Sequence, residues 1–131
     1  MCRQGASVIQ TAVLDSIKDT SIRAYVVWVP VLETDQDAPD EETRSLVPDR
    51  RAAHFWDAAG ILPKLFSGVL RLPTGYPAWD VYLIYPRGAT WEREPPAPVY
   101  WQHQLPGVTA APQLHGETLA ERLRLILGAA P

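Results

Sequence analysis

Apolar residues recur at helical spacing near the start of the chain. Ala6, Ile9, Val13 and Ile17 stand three or four positions apart, and Val8, Ala12 and Leu14 widen the stripe. That pattern predicts an amphipathic helix from about Arg3 to Lys18, ended by Asp19-Thr20-Ser21. The pattern then changes. Ile22–Leu32 is rich in β-branched and aromatic residues and almost continuously apolar from Ala24, as expected of a strand buried on both faces of a parallel α/β sheet. A helix leading into such a strand is the second half of a βαβ unit. The unit's first strand should precede the helix, where only Met1 precedes Cys2.

Glu33 to Glu42 carries six acidic residues and no base; it reads as a solvated loop running into a helix start, with Pro39 or Asp40 near the cap. A short helix through Glu41–Leu46 ends near Pro48. Ala52–Trp56 predicts a short strand. Asp57 caps a helix from about Ala58 to Leu70, with Ile61, Leu62, Leu65, Phe66, Val69 and Leu70 as its inner face and Pro63 in its first turn or at a kink. Leu72–Pro77 is a loop, and Trp79–Tyr85 a second strong strand. Pro86-Arg87-Gly88 turns the chain into Ala89–Glu92, predicting a β-hairpin. The proline-rich stretch Arg93–Pro112 reads as a packed, mostly irregular loop. Glu117–Leu127 is a terminal helix with Leu119, Leu123, Ile126 and Leu127 inward and Gly128 as its stop.

Composition narrows the choice. The chain has 131 residues, 47% hydrophobic and 21% charged, ordinary for one globular domain spanning 1–131. A net charge of -3 without a Lys/Arg run argues against nucleic acid as a partner. No apolar run approaches the roughly 20 residues of a membrane span, and no charged-then-apolar leader is visible, so the expected location is cytoplasmic. Cys2 is the sole cysteine, which excludes an internal disulfide framework and any zinc site built on cysteine pairs. His54, His103 and His115 are too scattered to suggest a metal, and no cofactor motif stands out.

In element order the chain resembles a thioredoxin-like domain. Met1-Cys2-Arg3-Gln4-Gly5-Ala6 looks like the tail of a Cys-x-x-Cys motif opening the first long helix. Tyr25-Val26-Val27-Trp28-Val29-Pro30 looks like the strand that follows, and Trp79-Asp80-Val81-Tyr82-Leu83-Ile84-Tyr85-Pro86-Arg87-Gly88 like the hairpin whose first strand faces the active site. The resemblance implies a three-layer α/β sandwich: a mixed sheet, a C-terminal β-hairpin and a terminal helix, here without the first central strand. It implies a thiol–disulfide oxidoreductase in which Cys2 is the resolving cysteine. The nucleophile would stand two residues before Met1, and a selenocysteine whose UGA codon was read as a stop would account for its absence. A cis-proline should precede the site-facing strand, and Pro77 is the nearest candidate.

The chemistry expected of such a site follows from the thiolate. A helix N-terminus and the neighbouring Arg3 favour it at Cys2. Asp80, beside an apolar strand, is a candidate proton acceptor. Arg3, Tyr76, Pro77, Trp79 and His103 are the candidate substrate-binding residues. The expected partner is a protein or small-molecule disulfide or thiol. A catalytically inactive binding module using the Trp79–Tyr82 groove and the Trp101 loop is the alternative. Loss of a central strand would expose the edges of Tyr25–Val29 and Val81–Tyr85 and favour pairing with a second copy.

Overall fold

A computed structural model describes residues 2–30 and 37–129, the side chains of Cys2 and Ala129 apart. Val31–Gln36, which holds the end of the first expected strand and the start of the acidic stretch, lies outside the described residues. Helix α1 (Cys2–Val8) continues into a π-helical segment (Ile9–Leu14); then come β1 (Ala24–Trp28), α2 (Glu41–Arg44), β2 (Ala52–Trp56), α3 (Ile61–Val69), β3 (Val81–Ile84), β4 (Tyr100–His103) and α4 (Gly116–Ala129). The fold is mixed α/β. Its strands form two separate pairs, β1 with β2 in parallel and β3 with β4 antiparallel.

The first helix stops four residues short of Lys18. Its last turn widens so that the Asp15 N–H donates to the Gln10 carbonyl at 2.8 Å, and Val13, Leu14 and Ile17 remain buried. Helix ends leave carbonyls without partners. Here Arg51, from the strand region beyond, takes them. Its guanidinium donates to the carbonyls of Leu14 at 2.6 Å, Ile17 at 2.5 Å and Asp19 at 3.0 Å, while Asp49 holds it from the other side at 2.8 and 2.9 Å. Those donors and the Asp49–Arg51 ion pair keep the Asp49 carboxyl well below the usual carboxylate range.

The expectation of a first strand buried on both faces is corrected. Burial alternates along β1 and β2. Ala24, Val26 and Trp28 face the core, whereas Tyr25 is 71% exposed and Phe55, diagonally across the pair, 51%. The Trp28 indole donates to His54 Nδ1 at 3.0 Å, and His54 Nε2 bonds the Val47 carbonyl at 2.9 Å, so His54 fastens the sheet. An apolar run states what can be buried; whether a second layer covers it is decided elsewhere in the chain.

The expected hairpin through Ala89–Glu92 is also corrected. The partner of β3 is β4, taken from the stretch expected to be irregular. Gly88, at φ 85, turns the chain away, and residues 89–99 form a loop. It is pinned by Tyr85, whose hydroxyl donates to the Pro96 carbonyl at 2.7 Å, and by Trp91 edge-on against Phe66, ring centroids 5.9 Å apart. Tyr100–His103 lies between Pro98 and Pro106, a proline-free window with two aromatics, so its N–H groups can join a ladder.

Helix α2 begins after Asp40, whose carboxylate accepts from the Thr43 N–H at 2.8 Å, as a capping residue does. Helix α3 starts at Ile61, after Gly60 in the left-handed region at φ 64. The cap position is therefore Gly60 rather than the expected Asp57, whose carboxylate accepts from the Leu62 N–H at 2.8 Å, and Pro63 sits in the first turn. Ile61 and Leu65, expected on the inner face, are exposed. Helix α4 runs past Gly128 to Ala129. Its first residue, Gly116, lies against Ala12, where a Cβ would come within 2.4 Å of the Ala12 methyl. The main core joins α1, its π-helical continuation and α4 to the inner faces of both strand pairs, through Val26, Trp28, Tyr82, Ile84 and Tyr100.

Candidate functional site

The most chemically distinctive cluster lies where α1 meets β3. Asp80 is 2% exposed. It stands just ahead of β3, and its C=O accepts from the Gln104 N–H at 3.0 Å, which extends the ladder by one rung. Side chains two apart on a strand share a face, so Tyr82 lies beside it, and the Tyr82 hydroxyl donates to Asp80 Oδ1. With its amide nitrogen turned toward Asp80, Gln104 donates to Oδ1 and Oδ2 at 3.3 and 3.2 Å. A buried carboxylate is costly unless paired or hydrogen-bonded; these neutral donors satisfy it.

The hydroxyl end of Tyr82 also meets α1. A Cβ on Gly5 would lie 1.7 Å from the Tyr82 oxygen, so only glycine permits this approach. Gly5 is three residues after Cys2, the first residue of α1, and residues three apart occupy one helix face. The backbone thereby puts position 2 one turn beyond the Gly5–Tyr82 contact. The Cys2 side chain is outside the described set. The cluster can hold a hydroxyl and a carboxylate in fixed positions beneath the first turn of a helix.

The remaining expected residues divide. Pro77 and Trp79 line one cleft, of about 210 Å³, together with Pro30 just beyond β1, Gly60 at the turn before α3, and Pro63 and Lys64 of α3. All peptide bonds among the described residues are trans, which corrects the expectation of a cis bond at Pro77. Tyr76 is tied down, its hydroxyl donating to the Pro106 carbonyl at 2.7 Å. Arg3 lies on the surface, 3.8 Å from the Glu42 carboxylate.

His103 is fully buried. Its Nδ1 accepts from the Leu105 N–H at 2.9 Å and its Nε2 bonds the Ala111 carbonyl at 2.8 Å, which defines a neutral ring with the proton on Nε2. It holds the 105–112 loop, with both ring nitrogens engaged by the backbone. Gln104 and Gly5 were not among the expected site residues, and Tyr82 was named only as the end of the Trp79–Tyr82 groove. The spacing Asp80-x-Tyr82 was the available signal for Tyr82; Gln104 and Gly5 join only through strand pairing and helix packing. Among the described residues no group of three or more His, Cys, Asp or Glu is arranged to hold a metal, and no helix is long and apolar enough to cross a membrane.

No protein-family model, curated protein or solved structure matches this chain.

Proposed function

We propose that the chain is a thioredoxin-like domain serving thiol–disulfide or selenol-dependent exchange, with Cys2 as the resolving cysteine. The observation that carries this reading is the glycine-only contact of α1 on the Tyr82–Asp80 pair: it seats the turn that begins with Cys2 over a buried carboxylate. The strand pairs support it as well. Among the described residues β1 pairs with β2 alone and β3 with β4 alone, and one further strand between β1 and β3 would join them into a single mixed sheet in the order β2-β1-new strand-β3-β4. A reducing compartment such as the cytoplasm suits this chemistry.

In the exchange, a thiolate or selenolate two residues ahead of Met1 attacks a substrate disulfide, forming a mixed linkage and releasing one substrate thiolate. The Cys2 thiolate then attacks that linkage, closing the pair and releasing the second substrate thiol. Two electrons pass to the substrate, and an external dithiol restores the reduced pair. Asp80 takes up or returns the Cys2 proton, with Tyr82 fixing its carboxylate.

The test is insulin disulfide reduction, with dithiothreitol as reductant, by a chain extended upstream to include the in-frame cysteine or selenocysteine. The extended chain accelerates reduction and its Cys2→Ser variant does not. Upstream DNA with neither codon at that place, or a rate indifferent to Cys2→Ser, overturns the reading. The cleft beside Trp79 favours a second reading, a binding module without catalysis, for which Cys2→Ser changes no property.

A further inference from the structure

The cleft between β1, α3 and the segment leading into β3 has a composition that selects its occupant. Three of its walls are the rings of Pro30, Pro63 and Pro77, and a fourth is Trp79. Prolines bring no N–H, so these walls are rigid and short of donors, suited to an apolar side chain. At about 210 Å³ the space holds one such side chain. Gly60, at φ 64, belongs to a turn that a residue with a Cβ enters only with strain.

Among the described residues Lys64 is the one charged side chain on the lining. It is exposed, and among the described residues it makes no ion pair. The start of α3 does not itself call for an anion, because the Asp57 carboxylate already accepts from the Leu62 N–H. An apolar slot beside an exposed ammonium is complementary to an apolar residue followed by a carboxylate. The chain's net charge of -3 opposes long-range attraction of such a ligand, so its selection rests on the short-range contact with Lys64.

We propose that the cleft receives one apolar side chain of an acidic peptide segment, whose neighbouring carboxylate pairs with Lys64 Nζ. That the peptide is a substrate rests on the exchange reading, because the 77–82 stretch lines the cleft at one end and supports the first turn of α1 at the other.

The probe is acetyl-Gly-Leu-Glu-Gly amide, titrated into the full chain while the Trp79 indole N–H signal is followed by NMR. The signal shifts and saturates. Replacing the peptide's glutamate by glutamine weakens binding about threefold, the size of an exposed ion pair, and replacing its leucine by glycine weakens it further. Lys64→Gln removes the preference for glutamate, and Lys64→Arg keeps it. A Trp79 signal that stays still, one that moves with protein concentration alone through a second copy, or a glutamate preference that survives Lys64→Gln overturns the proposal. If the exchange assay fails while this titration succeeds, the cleft stands as a peptide site and only the redox role falls.

Discussion

The two strand pairs solve the same packing problem with opposite materials. In β1–β2 the inward positions are mainly apolar, the outward face is open, and the polar attachment is a charged clamp at one end, where Asp49 and Arg51 hold the carbonyls that finish the first helix. In β3–β4 the polar groups are inside: Gln102 and His103 are fully buried and Asp80 nearly so. Gln102 accepts from the His115 N–H at 2.8 Å and donates to the Tyr100 hydroxyl at 2.9 Å, so it fixes the approach to α4. Buried polar networks are stabilising only when every member is satisfied. The first pair should therefore tolerate truncation on its outer face and respond to acid. The second should tolerate almost nothing.

The largest effect is expected at His103. His103→Ala leaves a cavity and strips partners from the buried Leu105 N–H and the Ala111 carbonyl, a combination worth about 3–5 kcal/mol. Urea unfolding measures it. A loss below about 1 kcal/mol would show that the 105–112 loop holds without its histidine.

Next comes the contact that seats α1 on β3. Gly5→Ala forces a methyl into the Tyr82 hydroxyl and should cost about 1–3 kcal/mol. Tyr82→Phe removes that oxygen. The double variant should then lose less than the two single losses added together, because the second change removes the closest of the atoms the methyl meets, leaving the Tyr82 ring carbon at 2.7 Å. Simple additivity would mean that Gly5 and Tyr82 do not share the space.

These two cases also show what a linear reading of the chain can reach. Helix and strand periodicity located α1, β1, β2, α3, β3 and α4, because each depends on spacing within a few residues. β4 was hidden by its flanking prolines, and the β3 partner was misplaced because Pro86-Arg87-Gly88 has the makings of a hairpin turn while the chain closes the pair only after a longer loop. Asp80 was visible as a carboxylate beside an apolar strand. Its partner Gln104 comes from β4's ladder, and Gly5, which packs on the Tyr82 hydroxyl, from the opposite end of the chain, so neither could be read without the pairing. His103 stood out as a polar residue among aromatics; that it faces inward depends on a loop folding over it.

Acid should act on the parallel pair. The Asp49 carboxyl is held below its ordinary value by donors from Arg51, whereas in the unfolded chain it titrates near pH 3.9. A depressed folded-state value means stability that is present above about pH 4 and is lost as the pH falls below it. Between pH 4.5 and 2.5 the wild type should lose about 1 kcal/mol more than Asp49→Asn, whose amide keeps the shape and loses the charge. Equal slopes for the two proteins would mean that Arg51 is held by the helix carbonyls alone.

The smallest effect is expected on the open face. Tyr25 and Phe55 are cross-diagonal neighbours in β1–β2, with ring centroids 6.2 Å apart, and most of the Tyr25 side chain is in water. Tyr25→Ser gives up only this partial contact and some β-propensity, so unfolding should shift by about 0.5 kcal/mol or less. The contrast with His103→Ala is the point of the measurement. Both changes truncate a ring on a short strand, and the expected costs differ several-fold because one ring faces solvent and the other is walled in by its own hydrogen bonds. A Tyr25→Ser loss above about 2 kcal/mol would mean that something packs on this face in solution. The parallel pair would then be covered on both sides, as its apolar run first suggested.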